Sequence, residues 1–239
     1  MQVQTKAIVI SAIKYSEADL IVKCYTKVSG LKTYLLRGIL KSKKGKVRAA
    51  LFQPLTQLEL IAVHKDKGNL ERINEAKISF PYQSLHTDIT KTALLFFLSD
   101  VLKTSIQEEE KNISMFNFLQ KSMIWLDQHD HIANFHVLFL LKLSSYLGFY
   151  PDETNLQADY FNMLDGTFQS IETNSYCITG NNVSLLKVFL GMNFDDLGVT
   201  KITKTDRLNV LEMLLSYYEL HLHGFKKPQS VKVLNEIFN

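Results

Sequence analysis

Hydrophobic and polar positions alternate with a period of two through roughly the first 80 residues, then switch to helical spacing. Residues 6–11 (KAIVIS) form a short β-rich run, followed by residues 20–27 (LIVKCYTK), a Ser29-Gly30 turn and residues 31–37 (LKTYLLR). After a basic loop come residues 55–63 (LTQLELIAV) and 70–79 (LERINEAKIS), joined by residues 65–69 (KDKGN), a hairpin-type turn. Five short strands in this length predict a five-stranded OB-fold barrel. Another small barrel or a twisted antiparallel sheet satisfies the same pattern.

Beyond Tyr82 the apolar spacing predicts helices over residues 85–107, 115–127, 132–147, 183–190, 206–222 and 230–238. The third ends at Gly148, with Pro151 three residues on, a C-cap glycine followed by a helix-excluding proline. Residues 152–182 read as irregular, with Asp165-Gly166 as a turn and room for a small hairpin. The fold class is therefore α+β. Residues 1–80 form the barrel and residues 81–239 a mainly helical domain with an irregular subdomain at 152–182.

Charge sharpens this division. Residues 1–80 hold 15 Lys and Arg against 6 Asp and Glu, whereas residues 81–239 hold 12 against 18. Such a split points to a polyanion partner for the first part. Residues 20–58 contain no carboxylate but carry Lys23, Lys27, Lys32, Arg37, Lys41, Lys43, Lys44, Lys46 and Arg48. Strand alternation places Lys23, Tyr25 and Lys27 on one face, and Lys32 and Tyr34 share a face of the next strand. If the Ser29-Gly30 hairpin merges these faces, cations and two rings lie together. Single-stranded nucleic acid needs that combination, with cations for phosphates and ring faces for unpaired bases. Tyr25 and Tyr34 suit the barrel core equally well, and at least one of them is expected there. The loop at residues 38–48 adds five cations. About four phosphate contacts would give a log–log salt slope near −3 on single strands.

Other chemistry is sparse. Neither the hydrolase GxSxG, the zinc-protease HExxH nor the dinucleotide GxGxxG motif occurs. Cys24 and Cys177 offer neither a disulfide framework nor metal-ligand spacing, which fits a reducing cytoplasm. Apolar runs such as Leu94–Leu98 are too short to cross a bilayer, and no signal-like segment opens the chain. Glu17 and Asp19 suit capping or pairing with lysines, not acid–base catalysis. His129, Asp130 and His131 suit a turn between helices. The expectation is a protein without catalytic residues, metal or cofactor.

Several segments resemble the RecO family of bacterial recombination mediators. These are residues 6–10 (KAIVI), 15–22 (YSEADLIV), Tyr25-Thr26, Gly30, Arg37-Gly38, 41–43 (KSK) and 51–55 (LFQPL). Residues 140–151 (LLKLSSYLGFYP) and 220–234 (LHLHGFKKPQSVKVL) extend the resemblance almost end to end. It implies an N-terminal OB-fold, a helical C-terminal domain, annealing of complementary strands, and action in the cytoplasm at the nucleoid. The implied partners are single-stranded DNA, with double-stranded DNA left open, together with RecR and the acidic tail of single-strand-binding protein. Together these load the RecA recombinase. Lys226, Lys227, Val231, Lys232 and Leu234 are the candidates for contacts to that tail. Many relatives carry a four-cysteine zinc site in the region of residues 152–182, where this chain has Cys177 alone. Packing by Tyr160, Phe161 and Phe168 is expected in its place. An RNA-binding OB protein and a scaffold for acidic proteins are the competing readings.

Overall fold

The computed structural model describes residues 1–41, 46–65, 70–107 and 110–238, which form two compact units, Met1–Asp127 and Gln128–Asn239. The first is built on β1 (Gln2–Lys14), β2 (Leu20–Thr26), β3 (Gly30–Leu36), β4 (Gln57–Val63) and β5 (Arg72–Ile78). Spatial order is β3-β2-β1-β4-β5, and every neighbouring pair is antiparallel. β1 runs longer than its alternation predicts because Ala7, Ile8, Val9 and Ile10 are all buried. A bulge between Val9 and Ser11 then re-phases the strand.

Inside the curled sheet lie Val9, Val22, Cys24, Tyr34, Leu36, Leu58, Leu60 and Ala62. A 3-10 turn at Ala49–Phe52 adds Leu51 and Phe52 to this core. The predicted barrel is not closed by a continuous ladder. Its edges meet at one parallel bridge between Tyr34 and Glu71. There Glu71 N–H donates to the Thr33 carbonyl (2.8 Å) and Leu35 N–H donates to the Glu71 carbonyl (3.0 Å). The result is an OB-like sheet.

Two helices, α1 (Ile89–Ser105) and α2 (Ile113–Gln128), follow the sheet. Ser99 donates to the Ile10 carbonyl (2.7 Å), and the Gln57 amide donates to the Gln120 carbonyl (3.1 Å) and to the Tyr82 hydroxyl oxygen (2.9 Å). Asp127 accepts from the backbone N–H groups of Gln83, Ser84 and Leu85 and from the Ser84 hydroxyl. Burial alone would raise its carboxyl, but these four donors outweigh burial and hold it below its ordinary value. The change from strands to helices near residue 80 thus falls within the first compact unit, which runs on through α1 and α2.

In the second unit, α3 (Phe135–Leu147) ends where Gly148 takes φ 87°, the left-handed cap expected of that glycine. Residues 152–182 hold a three-stranded antiparallel sheet of β6 (Tyr160–Asn162), β7 (Thr167–Gln169) and β8 (Cys177–Thr179), in the order β7-β6-β8. Asp165-Gly166 lies in the β6–β7 turn. Helices α4 (Asn181–Leu190), α5 (Lys204–His221) and α6 (Ser230–Ile237) complete the unit. Phe161 and Phe168 are buried and in ring contact, and Phe161 meets the Tyr217 ring of α5 edge-on. Tyr160 is half-buried.

Candidate nucleic-acid interface

Hairpin register decides which side chains share a face. β2 and β3 pair with Thr26 opposite Gly30, which sets Lys23 across from Thr33 and Cys24 across from Lys32. Opposed residues of an antiparallel pair point to the same side. Lys23 and Tyr25 therefore belong to the outer face, while Lys32 and Tyr34 belong to the inner one. The two tyrosines do not form the common surface that the alternation of each strand separately allows. Neither ring is available for stacking, since both are 0% exposed. Tyr25 stacks on Phe116 of α2 at 6.4 Å between ring centroids, and the Tyr34 hydroxyl lies 2.8 Å from His64 Nε2 within the core. Burial pushes the Tyr34 hydroxyl and the Cys24 thiol well above their ordinary values, so neither ionises.

The cations fare differently. Arg37, Lys41, Lys46 and Arg48 are exposed, and Lys23, Lys27 and Lys32 are half-buried. Lys43 and Lys44, like the tip of the turn at residues 66–69, lie outside the described residues. Asp19 and Glu17 organise the basic segment from below. Asp19 accepts from Gly38 N–H (2.7 Å), and Glu17 pairs with Lys41 (3.6 Å). The capping and pairing roles expected of these carboxylates are the ones they have.

On the far side of the sheet an open groove of about 570 Å³ runs over β4 and β5, lined among others by Gln4, Lys46, Arg48, Glu59, Glu75 and Lys77. Lys46 pairs with Glu75, and its carbonyl accepts from Ala76 N–H of the edge strand. Lys77 pairs with Glu59 at 2.7 Å, which raises the ammonium and lowers the carboxyl. Lys77 falls outside the acid-free stretch and escapes a search by composition. The signal that finds it is cross-strand register, since Lys6, Glu59 and Lys77 form one row. Ion pairs this exposed are screened by water and salt and are individually weak. A phosphate can therefore displace either carboxylate at small cost. Positioning and charge neutralisation are what this surface can offer.

The C-terminal candidates divide. Lys226 and Lys232 are exposed and Val231 is half-buried. Leu234 is 1% exposed and belongs to the core, because it lies on the inward side of the amphipathic α6. Lys227 is held by Glu212 and Glu219 of α5 and donates to the Ser216 hydroxyl (3.0 Å). In the small sheet, the Cys177 sulfur accepts from the Gln169 amide (3.1 Å), and no second thiol lies nearby in the chain. That donor set does not fit a four-ligand zinc site. Among the described residues no group of three or more His, Cys, Asp or Glu is placed to hold a metal, His129, Asp130 and His131 included. Nor is any described helix long and apolar enough to cross a membrane.

Two family models cover nearly the whole chain: Recombination protein O N terminal matches residues 1–82, and Recombination protein O C terminal matches residues 86–230. Among curated proteins, the DNA repair protein RecO of Christiangramia forsetii is 54% identical over 238 residues, with 100% of both chains covered. That of Flavobacterium psychrophilum is 48% identical over 239 residues, again with 100% of both covered. That of Bacteroides fragilis is 37% identical over 240 residues, with 99% of each covered.

Proposed function

Because this chain belongs to the RecO family of DNA repair proteins, we propose that the unit with the five-stranded sheet binds single-stranded DNA through the phosphates and anneals complementary strands. The observation that carries this reading is the acid-free connection between β3 and β4, which presents Arg37, Lys41, Lys46 and Arg48 to solvent. Two polynucleotides repel each other through their phosphates, and base pairing releases free energy once they meet. A protein that neutralises part of that charge and holds both strands promotes annealing without a cofactor, nucleotide hydrolysis or a catalytic residue. Lys46 and Lys77 exchange their glutamates for phosphates on binding, and Arg37 and Arg48 add charge.

The family resemblance supplies the partners of this proposal: RecR, single-strand-binding protein and, through them, loading of RecA at the cytoplasmic nucleoid. Lys226 and Lys232, with Val231 beside them, are the exposed groups suited to an acidic tail. The exposed cations bear on double-stranded DNA as well, since phosphate contacts are indifferent to pairing.

Fluorescence anisotropy with labelled oligo-dT over a salt titration tests the reading. Binding is expected at low salt, with affinity falling steeply as salt rises. Replacing Lys46, Arg48 and Lys77 together with Ala is expected to flatten the log–log slope by about 2, at roughly 0.7 per phosphate contact on single strands. Absence of binding at low salt, or binding indifferent to salt, would remove the proposal.

A further inference from the structure

We infer that Tyr15 is the base-stacking platform of this interface, an inference that rests on the DNA-binding reading above. Tyr25 and Tyr34 are sealed inside the unit, so phosphate contacts alone would leave the protein no means of preferring unpaired strands. Tyr15 stands in the β1–β2 turn with 63% of its surface exposed. Its backbone N–H donates to the Asp19 carbonyl (3.0 Å), but among the described residues its ring and hydroxyl have no partner. An aromatic ring left in water at a structured turn gains nothing for the fold.

The surroundings are those of a nucleic-acid contact. Lys14, Leu20 and Leu36 form one row across β1, β2 and β3. Tyr15 and Arg37 are the next residues after the two ends of that row, so they leave the sheet at the same end. Two strand spacings put their backbones about 10 Å apart. The neighbouring row, Ile13-Ile21-Leu35, offers an apolar ledge on which Ile13 is 52% exposed, and the next row on that face, two residues along, holds Lys23. α2 covers this outer face farther along, at Tyr25, and leaves Tyr15 and Ile13 open.

The turn is also fastened to the basic connection. Asp19 accepts from Gly38 N–H (2.7 Å), and Leu40 N–H donates to the Ala18 carbonyl (2.9 Å). With Glu17 paired to Lys41, both turn carboxylates are engaged on the connection itself. Ring and cations are thus held in a fixed relation before any ligand arrives, which lowers the ordering cost of binding. A base stacks on the ring while neighbouring phosphates meet Arg37, Lys41 and Lys23. Paired bases in a duplex do not present a free face, so the ring gives a preference for single strands.

Anisotropy with oligo-dT and with a matched hairpin duplex, on the full chain, tests this. Tyr15→Ala is expected to weaken oligo-dT binding about 5- to 140-fold, the range of a single stacked base. Duplex affinity and the salt slope should stay unchanged, because no charge is removed. Tyr15→Phe keeps the ring and should bind as the unaltered protein does. The inference is overturned if Tyr15→Ala binds oligo-dT normally, if it loses duplex binding equally, or if the Phe variant fails alongside it. Those outcomes leave the DNA-binding reading standing, whereas failure of the unaltered protein to bind oligo-dT removes both.

Discussion

The two sheets of this protein are fastened to their helices by different chemistry. The five-stranded sheet has its own interior, and its links to α1 and α2 include hydrogen bonds from Ser99 to Ile10 and between Gln57 and Gln120. In the segment between β5 and α1, Asp127 gathers three backbone N–H groups. The three-stranded sheet has strands of three residues each and cannot enclose a core. It borrows one from α5 through the rings of Phe161, Phe149 and Tyr217, with His221 stacked on Phe149. A sheet too small to be stable alone persists where a helix lends it aromatic surface, and such a joint rests on ring contacts instead of a carboxylate.

Removing a ring should expose that dependence most sharply. Phe161→Ala is expected to destabilise the protein by about 3–5 kcal/mol. Urea denaturation followed by near-ultraviolet circular dichroism would measure it, and a loss under 1 kcal/mol would show that the small sheet does not need α5.

Asp127→Ala attacks the polar joint instead. It leaves the N–H groups of Gln83, Ser84 and Leu85 without their acceptor, the last of them buried, and should cost about 1–3 kcal/mol at neutral pH. Because the folded carboxyl is held below its ordinary value of 3.8, its charged form stabilises the fold above that pH and the benefit fades on acidification. The gap between variant and unaltered protein should therefore be constant above about pH 5 and narrow as pH falls through 3.8 and below. The Phe161→Ala deficit should not move over that range. Parallel pH dependences would erase the distinction between the two joints.

A finer probe is the β6–β7 turn. Gly166 has φ +69°, and a Cβ there would sit 2.5 Å from the Tyr217 hydroxyl oxygen. Gly166→Ala should cost about 1–3 kcal/mol. Tyr217→Phe, which gives up a 2.8 Å hydrogen bond to the Phe149 carbonyl, should cost about 1 kcal/mol. The double variant should be more stable than the two losses together imply, since Phe removes the oxygen in the way. Additive losses would mean that only the backbone conformation matters at Gly166.

The contrast also explains what could be read from the chain. Strands β2 to β5 announce themselves because each has one face inside and long enough alternation to show it. Strands β6 to β8 are too short for any period, and only the Asp165-Gly166 turn marks them. Within the candidate interface, the exposed cations followed from composition, but the placement of rings did not. Tyr25 and Tyr34 change sides relative to each other with a one-residue change of hairpin register, and no single strand encodes that register. Lys227 and Leu234 show the same limit. Lysines and leucines near a helix end look alike in sequence whether they face Glu212, the interior or water.

The row formed by Lys6, Glu59 and Lys77 has a bearing on crowding. At high local concentration a bare strand edge would invite copies of a protein to join sheet to sheet. β5 is such an edge, yet it bristles with Arg72, Glu75 and Lys77 and has Ala76 N–H already occupied by the Lys46 carbonyl. Charge and occupancy together discourage a neighbour's strand from adding on, so copies brought close together would stay separate.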